Sequence, residues 1–354
     1  MFVKKHTNHF LYKLSMSNKN VAIVIPCWNE EKMLPETLSC LLKQTYKNWT
    51  AFCVDDHSTD KTAEIIKAYH ENDSRIQYVL RDREPKGGQT CRNIGVEIAQ
   101  GFKYLIFFDA DDMIAPYCLE QRVLFMEEHS EIDCGVFPVI AYSNDIHELY
   151  GPVFGVKAFD DDLQAMIGFT VPFDAATNIY RYDSLRESGI SWDYRIKSYQ
   201  DVDYNIQFLL SGIKYGFATK AKADYFYHFT NDGVAGRSQT KQHYDSHVLF
   251  IDKVTQSVSA KYKTKYDFEL EAMIASFLGT FKNSWKPYFD ILRLPWMRHR
   301  WSFKLRIIMY LLILKKDRRL IFYKYRKYSK RQNAIWSERV ANYRTELLKR
   351  GIEI

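Results

Sequence analysis

The chain has 354 residues, 46% apolar and 26% charged, enough for one large core or two smaller ones, which excludes a disordered tail protein and a peptide-sized scaffold. Its formal charge of +7 is unevenly spread: from Arg298 to Arg331 stand thirteen Lys/Arg against one acid, Asp317, so a mildly acidic body carries a basic C-terminal region. No apolar run reaches the ~18–20 residues that span a bilayer, the nearest being 307–314.

Residues 1–20 read as an N-terminal extension that has lysines but no apolar stretch of a secretory signal. From there to 112 short apolar runs alternate with helical patterns. Strands are expected at 21–26, 50–56, 75–80 and 104–112, with helices between them. That alternation predicts βαβ units and a mostly parallel, Rossmann-like sheet flanked by helices, with ligands held outside the carboxyl ends of the strands. Polar residues stand just past three of the runs: Trp28-Asn29-Glu30, Asp55-Asp56, and Asp109-Ala110-Asp111-Asp112. Further on, GVFPVIAY and YFYHFT read as strands and FDDDLQAMIG and DVDYNIQFLLSG as helices, and everything past about 240 reads as mainly helical. Cys27, Cys40, Cys53, Cys91, Cys118 and Cys134 form no CxxC pair and read as reduced thiols.

Asp109 and Asp111, two residues apart after a buried strand, would share one side of an extended chain. Two hard carboxylates that close repel unless a cation such as Mg²⁺ or Mn²⁺, shared with phosphates, lies beside them. Capping of the next helix is the plainer role, and Asp112 suits it as well as it suits ligation. Asp55 sits where an acid can accept from a base N–H or a ribose hydroxyl. No GxGxxG or GxxxxGK[ST] pattern is present, so neither a dinucleotide fold nor a P-loop is supported.

Taken together, VAIVIPCWNEEKMLPETLSCLLKQTYKNWTAFCVDDHSTDKT, KGGQTCRNIGVEIAQGFKYLIFFDADD and SYQDVDYNIQFLLSG resemble, in order and spacing, the family 2 glycosyltransferases of the GT-A fold, with Gln200 where the family usually has Glu. The resemblance implies an inverting, metal-dependent transfer from a nucleotide-diphosphate sugar, UDP-linked, to a saccharide or lipid-linked acceptor of bacterial surface polysaccharide or lipooligosaccharide. It implies nucleotide-sugar contacts at Pro26, Trp28, Glu30, Asp55, Lys86, Gly87, Arg92, Asn93, Asp109 and Ala110. A Mn²⁺ or Mg²⁺ cofactor would sit on Asp109, Asp111 and His228, although a lone His among aromatics serves equally as a packed core residue. Asp201 would be the catalytic base, against the plainer role of a helix-start acid.

The organisation expected is a GT-A catalytic domain over 21–240, divided into a nucleotide-binding half, 21–112, and an acceptor-binding half, 113–240, followed by a helical, basic region over 241–354. The aromatic and basic residues of 295–331 suit an anionic membrane surface first, a helix packed on the body second, and nucleic acid last. The location expected is cytoplasmic, peripheral at the inner face of the cytoplasmic membrane. Two competing readings are a sugar-nucleotide nucleotidyltransferase, which would need a glycine-rich basic loop where CWNEEKM stands, and a non-catalytic membrane-associated scaffold.

Overall fold

The computed structural model describes residues 20–142, 149–228, 241–281, 285–312 and 323–349. The order over the first third is β1 (Val21–Cys27), α1 (Leu34–Leu42), β2 (Trp49–Asp55), α2 (Thr62–Asn72), β3 (Ile76–Leu80), α3 (Gly88–Ile98) and β4 (Tyr104–Phe107). Next come β5 (Met113–Ile114), α4 (Cys118–Glu128), β6 (Cys134–Val136), β7 (Val139–Tyr142), β8 (Leu149–Phe154), α5 (Asp162–Ile167), β9 (Asn178–Arg181) and α6 (Tyr182–Glu187). α7 (Gln200–Ser211), β10 (Tyr215–Phe217), β11 (Tyr225–His228), α8 (Lys241–Tyr262), α9 (Asp267–Thr280), α10 (Lys286–Arg293), a 3₁₀ turn (Pro295–His299), α11 (Trp301–Leu312) and α12 (Tyr323–Lys349) complete the described chain.

Seven strands form the central sheet in the order β10-β6-β9-β4-β1-β2-β3. β1 runs parallel to β2 and β4, and β2 parallel to β3, whereas β9 is antiparallel to β4 and β6. A second sheet, β5-β11-β7-β8, lies beside the turn that follows β4. β1 explains why both faces need cover. Val21, Ile23, Ile25 and Cys27 enter one apolar cluster with Leu34, Leu38 and Leu41 of α1, while Ala22 and Val24 enter another. α3 lies close against β1: a Cβ on Gly95 would stand 2.1 Å from Val24 Cγ1, so only glycine fits there.

Two expected strands are broken. Pro138 separates β6 from β7, which enter different sheets, because proline cannot continue a ladder. The strand expected over 104–112 ends at Phe107, and the acids lie on a turn in which Asp112 N donates to Asp109 O at 3.4 Å. Asp109 and Asp111 are therefore not on one side of an extended chain. Residues 229–240, which follow β11, lie outside the described residues, as do 1–19.

The helices past 240 share the core of the sheet. Val254 and Val258 of α8, Leu270 and Met273 of α9, Ile291 of α10 and Phe303 of α11 join Val202 and Ile206 of α7 in one cluster. α12 also packs on the body: Tyr325 is buried, Trp336 stacks on Phe159 at 5.6 Å, and Leu347 joins Ile140, Val156 and Ala223. This is the packed-helix alternative for that stretch of the basic region. Among the described residues no helix is long and apolar enough to cross a membrane. All six cysteines are free and buried.

Candidate active site

A cleft of about 370 Å³ opens at the carboxyl ends of β1, β2 and β4, lined by Pro26, Cys27, Trp28, Glu30, Asp56, Gly87, Gly88, Gln89, Arg92, Asp109, Ala110, Lys197, Gln200 and His243. Seven of the residues expected from the sequence are among them: Pro26, Trp28, Glu30, Gly87, Arg92, Asp109 and Ala110.

The loop after β1 is tied to the loop after β2. Asn29 N donates to Ser58 Oγ (3.0 Å), Glu30 N to Thr62 Oγ1 (2.8 Å), and Thr59 N to Asn29 Oδ1 (2.8 Å). Asn29, His57 and Tyr199 hold φ values of 58°, 57° and 60°, left-handed conformations that cost energy in non-glycine residues, and each adjoins a residue lining the cleft. Trp28 is 44% exposed, with Lys86 Nζ 4.3 Å from the centre of one ring face.

Arg92, near the start of α3, is the electrostatic centre. It is 6% exposed, forms an ion pair with Asp109 and lies over the Trp192 ring at 4.6 Å, while its Nε has no partner. Burial works against its charge, but the Asp109 and Asp201 carboxylates outweigh that and raise its pKa above the ordinary value. Asp201, at the first turn of α7, is raised by burial, with Arg92 opposing. The preceding Tyr199 supplies no side-chain cap to this helix.

Carboxylates crowd the far side. Burial, then Asp109, push Asp111 up to about 6. Glu30 rises to about 7 through burial and the charges of Asp111, Asp60 and Asp109. Asp112 is neither a cap nor a cleft residue: it accepts from the Tyr225 hydroxyl and from His228 N (2.7 Å), fastening β11 to the turn after β4. The His228 ring stacks on Tyr142 at 5.1 Å. With Asp109 turned toward Arg92 and His228 stacked, the expected ligands Asp109, Asp111 and His228 do not form a ready three-ligand set. Among the described residues no three of His, Cys, Asp and Glu do. What remains, Asp111 raised by burial and by the neighbouring Asp109, fits a cation that takes most of its ligands from phosphate oxygens and water.

Three other expected contacts do not line the cleft. Asp55 accepts from Ser58 N (3.0 Å), Ser58 Oγ (2.5 Å) and Tyr78 Oη (3.3 Å), and its neighbour Asp56, held by Arg81 Nε at 2.5 Å, lines the cleft instead. The Asn93 side chain clasps the Trp192 backbone, donating to its O (2.8 Å) and accepting from its N (3.0 Å). Lys86 is exposed at the rim beside Trp28.

The sequence reading missed Lys197, His243 and Asp174. Lys197 Nζ donates to Lys86 O at 3.2 Å, and burial lowers its pKa. His243 of α8 exchanges a 2.6 Å hydrogen bond with Ser198 Oγ, and no motif marks it. Asp174, accepting from Thr177 N at 3.0 Å, is pushed up to about 7 by burial and then by Asp201. In the half expected to bind the acceptor, Trp192 and Phe173 are buried and Tyr194 is 48% exposed.

The sheet, its switch of strand direction and the acid-lined cleft define a GT-A protein. Residues 22–189 match the family model described as glycosyl transferase family 2. A stretch of 216 residues, 60% of this chain, is 27% identical to the poly(ribitol-phosphate) beta-glucosyltransferase of Bacillus spizizenii and covers 33% of that protein. Another of 100 residues, 28% of this chain, is 35% identical to glycosyltransferase GlyG of Streptococcus pneumoniae and covers 33% of it. The chain thus spans about a third of the length of these curated relatives. Among solved structures, S. aureus TarS 1–349 in complex with UDP-GlcNAc has the same fold, with a TM-score of 0.60 at 17% identity over 93% of this chain and 92% of that one. The chain carries a family 2 glycosyltransferase domain.

Proposed function

We propose that the protein transfers a hexosyl or N-acetylhexosaminyl group from a nucleotide-diphosphate sugar, UDP-linked, to a hydroxyl of a saccharide or lipid-linked saccharide during synthesis of bacterial cell-envelope polysaccharide, with inversion, at the inner face of the cytoplasmic membrane. The observation that carries this reading is Arg92, a buried cation in one cleft that feels both Asp109 and Asp201. Such an arrangement separates the two tasks of the reaction: removal of the acceptor proton and stabilisation of the leaving diphosphate. Asp201, at a helix start and with its pKa raised by burial, takes the proton. Arg92, with its unpartnered Nε, and Lys197 face the leaving diphosphate. A divalent cation on Asp111 and Asp109 would supply Lewis-acid stabilisation when bound. Trp28 offers a ring face to the base.

The names of the relatives support a saccharide acceptor, and the ligand of the TarS complex supports a UDP-sugar. The experiment is transfer of labelled sugar from UDP-glucose and UDP-GlcNAc to poly(ribitol phosphate) and to saccharide acceptors, with the anomeric configuration read by NMR. Transfer with inversion bears the reading out. A retained configuration contradicts the mechanism, and donor turnover by Asp201→Asn at the wild-type rate contradicts the assignment of the base.

A further inference from the structure

We infer that α10, the 3₁₀ turn and α11 present an apolar and basic surface that seats the protein on anionic lipid. Ten large hydrophobic residues are exposed among those described, and the four most exposed are Trp301 (69%), Tyr323 (60%), Leu305 (55%) and Phe289 (51%), all within 289–323. With Trp285 these make five within 285–323, whereas the other five lie singly or in pairs over residues 28–199 at 37–48%, so the run calls for a partner. Two ridges carry Phe289, Trp301 and Leu305. Trp285 and Phe289 are one helical turn apart at the start of α10, and Trp301 and Leu305 one turn apart on α11, opposite the buried Phe303 and Ile307. Each helix therefore buries one apolar face in the core and exposes a second one.

Charge selects the occupant. Residues 285–312 hold six Lys/Arg against one acid, Asp290. Arg300 is engaged with Asp267 (Nη2 to Oδ1, 2.6 Å), and Lys286 with Asp290 (2.8 Å). Arg293 and Arg298 are exposed, and Lys304 Nζ lies 4.8 Å from the Trp301 ring centre. Indole and aliphatic groups flanked by long cationic side chains match the boundary of acyl chains and anionic headgroups, where rings insert and the cations reach back to phosphate. A second copy of the chain would bring like charge against like charge. A nucleic acid would use the rings for stacking but has no use for an exposed leucine beside them. The surface differs from the span 295–331 expected from sequence: it begins at Trp285, and Tyr325, within that span, is buried in the core instead.

The inference rests on the membrane placement proposed above, and its test is separate from that of transfer. The full chain is sedimented with vesicles of phosphatidylcholine alone and of phosphatidylcholine mixed with phosphatidylglycerol, at low and high salt, alongside Trp301→Ser/Leu305→Ser and Arg298→Glu/Lys304→Glu. Thermal melts and transfer to a water-soluble acceptor are followed in parallel. Expected are binding to the anionic vesicles only, weakening with salt, and a loss of about tenfold or more in each double variant at an unchanged melt. Equal binding of wild type and variants, or none to anionic vesicles, overturns the inference. So does retention on RNA, or self-association abolished by Trp301→Ser/Leu305→Ser, in the absence of vesicle binding. Soluble transfer that persists in any of these cases leaves the reading of the active site standing.

Discussion

Lys253 of α8 holds Asp203 of α7, Nζ to Oδ2 at 2.7 Å, and reaches Asp193 at 3.3 Å. A helix outside the segment matched by the family model thereby anchors the helix that bears Asp201. Ser246 of the same helix accepts from Lys197 N (2.7 Å) and Ser198 N (3.1 Å), fixing the approach to Gln200. α8 is thus part of the frame around the cleft.

Removing the cation leaves Asp203, 2% exposed, charged and deprived of its ion-pair partner. Breaking a buried pair costs about 3–5 kcal/mol, and because Lys253 is 24% exposed the cost belongs at or below the lower end. Lys253→Met should lower the stability read by urea denaturation by up to about 3 kcal/mol, and Lys253→Met/Asp203→Asn should recover much of it. No recovery in the double variant would mean that the lysine acts by packing alone.

Lys197 brings a partly buried positive charge to the cleft next to Gly87. A charge-assisted hydrogen bond to phosphate is worth about 1.5–3 kcal/mol, a factor of roughly ten or more. Lys197→Met should weaken UDP about tenfold while leaving uridine unchanged in calorimetry. An equal loss for both ligands would place the lysine at the nucleoside.

Asp174 gives a pH signature. Its folded pKa of about 7 lies above the ordinary carboxylate value, so between about pH 4 and 7 the folded chain holds a proton that the unfolded chain has lost. Stability from this group therefore falls as pH rises through that window and levels off above it. The melting temperature of Asp174→Asn should gain on the wild type from pH 4 to 7 and then run parallel. A difference independent of pH would refute the shift.

Asp201→Asn, which keeps the size and shape of the side chain, should stay folded and should lose about 10²–10⁴ in kcat with the donor KM little changed. A melt lowered by about 1 kcal/mol with activity intact would instead make Asp201 a helix-start residue.

The sequence carried the sheet and the general position of the cleft because parallel strands buried on both faces are written as continuous apolar runs, and their polar ends fall where ligands bind. It did not decide between Asp55 and Asp56. Adjacent residues at a strand end point opposite ways, and only the register that ends β2 at Asp55 turns that acid onto Ser58 and Tyr78 and leaves Asp56 for the cleft. Nor did it foresee that the chain turns at Phe107, which sends neighbouring acids to separate partners, Asp109 to Arg92 and Asp112 to Tyr225 and His228. His243, Ser246 and Lys253 were beyond reach for a different reason: a helix pattern states which face is apolar, not which distant loop its polar residues will hold.

The most direct test of the account is calorimetric titration of the full chain with UDP, GDP and CDP, each with Mn²⁺ and with EDTA, repeated with Asp111→Asn. The account predicts that UDP binds in Mn²⁺, and that binding weakens strongly in EDTA and in the variant. Binding of none of the three nucleotides, or UDP binding that neither EDTA nor Asp111→Asn alters, would contradict it.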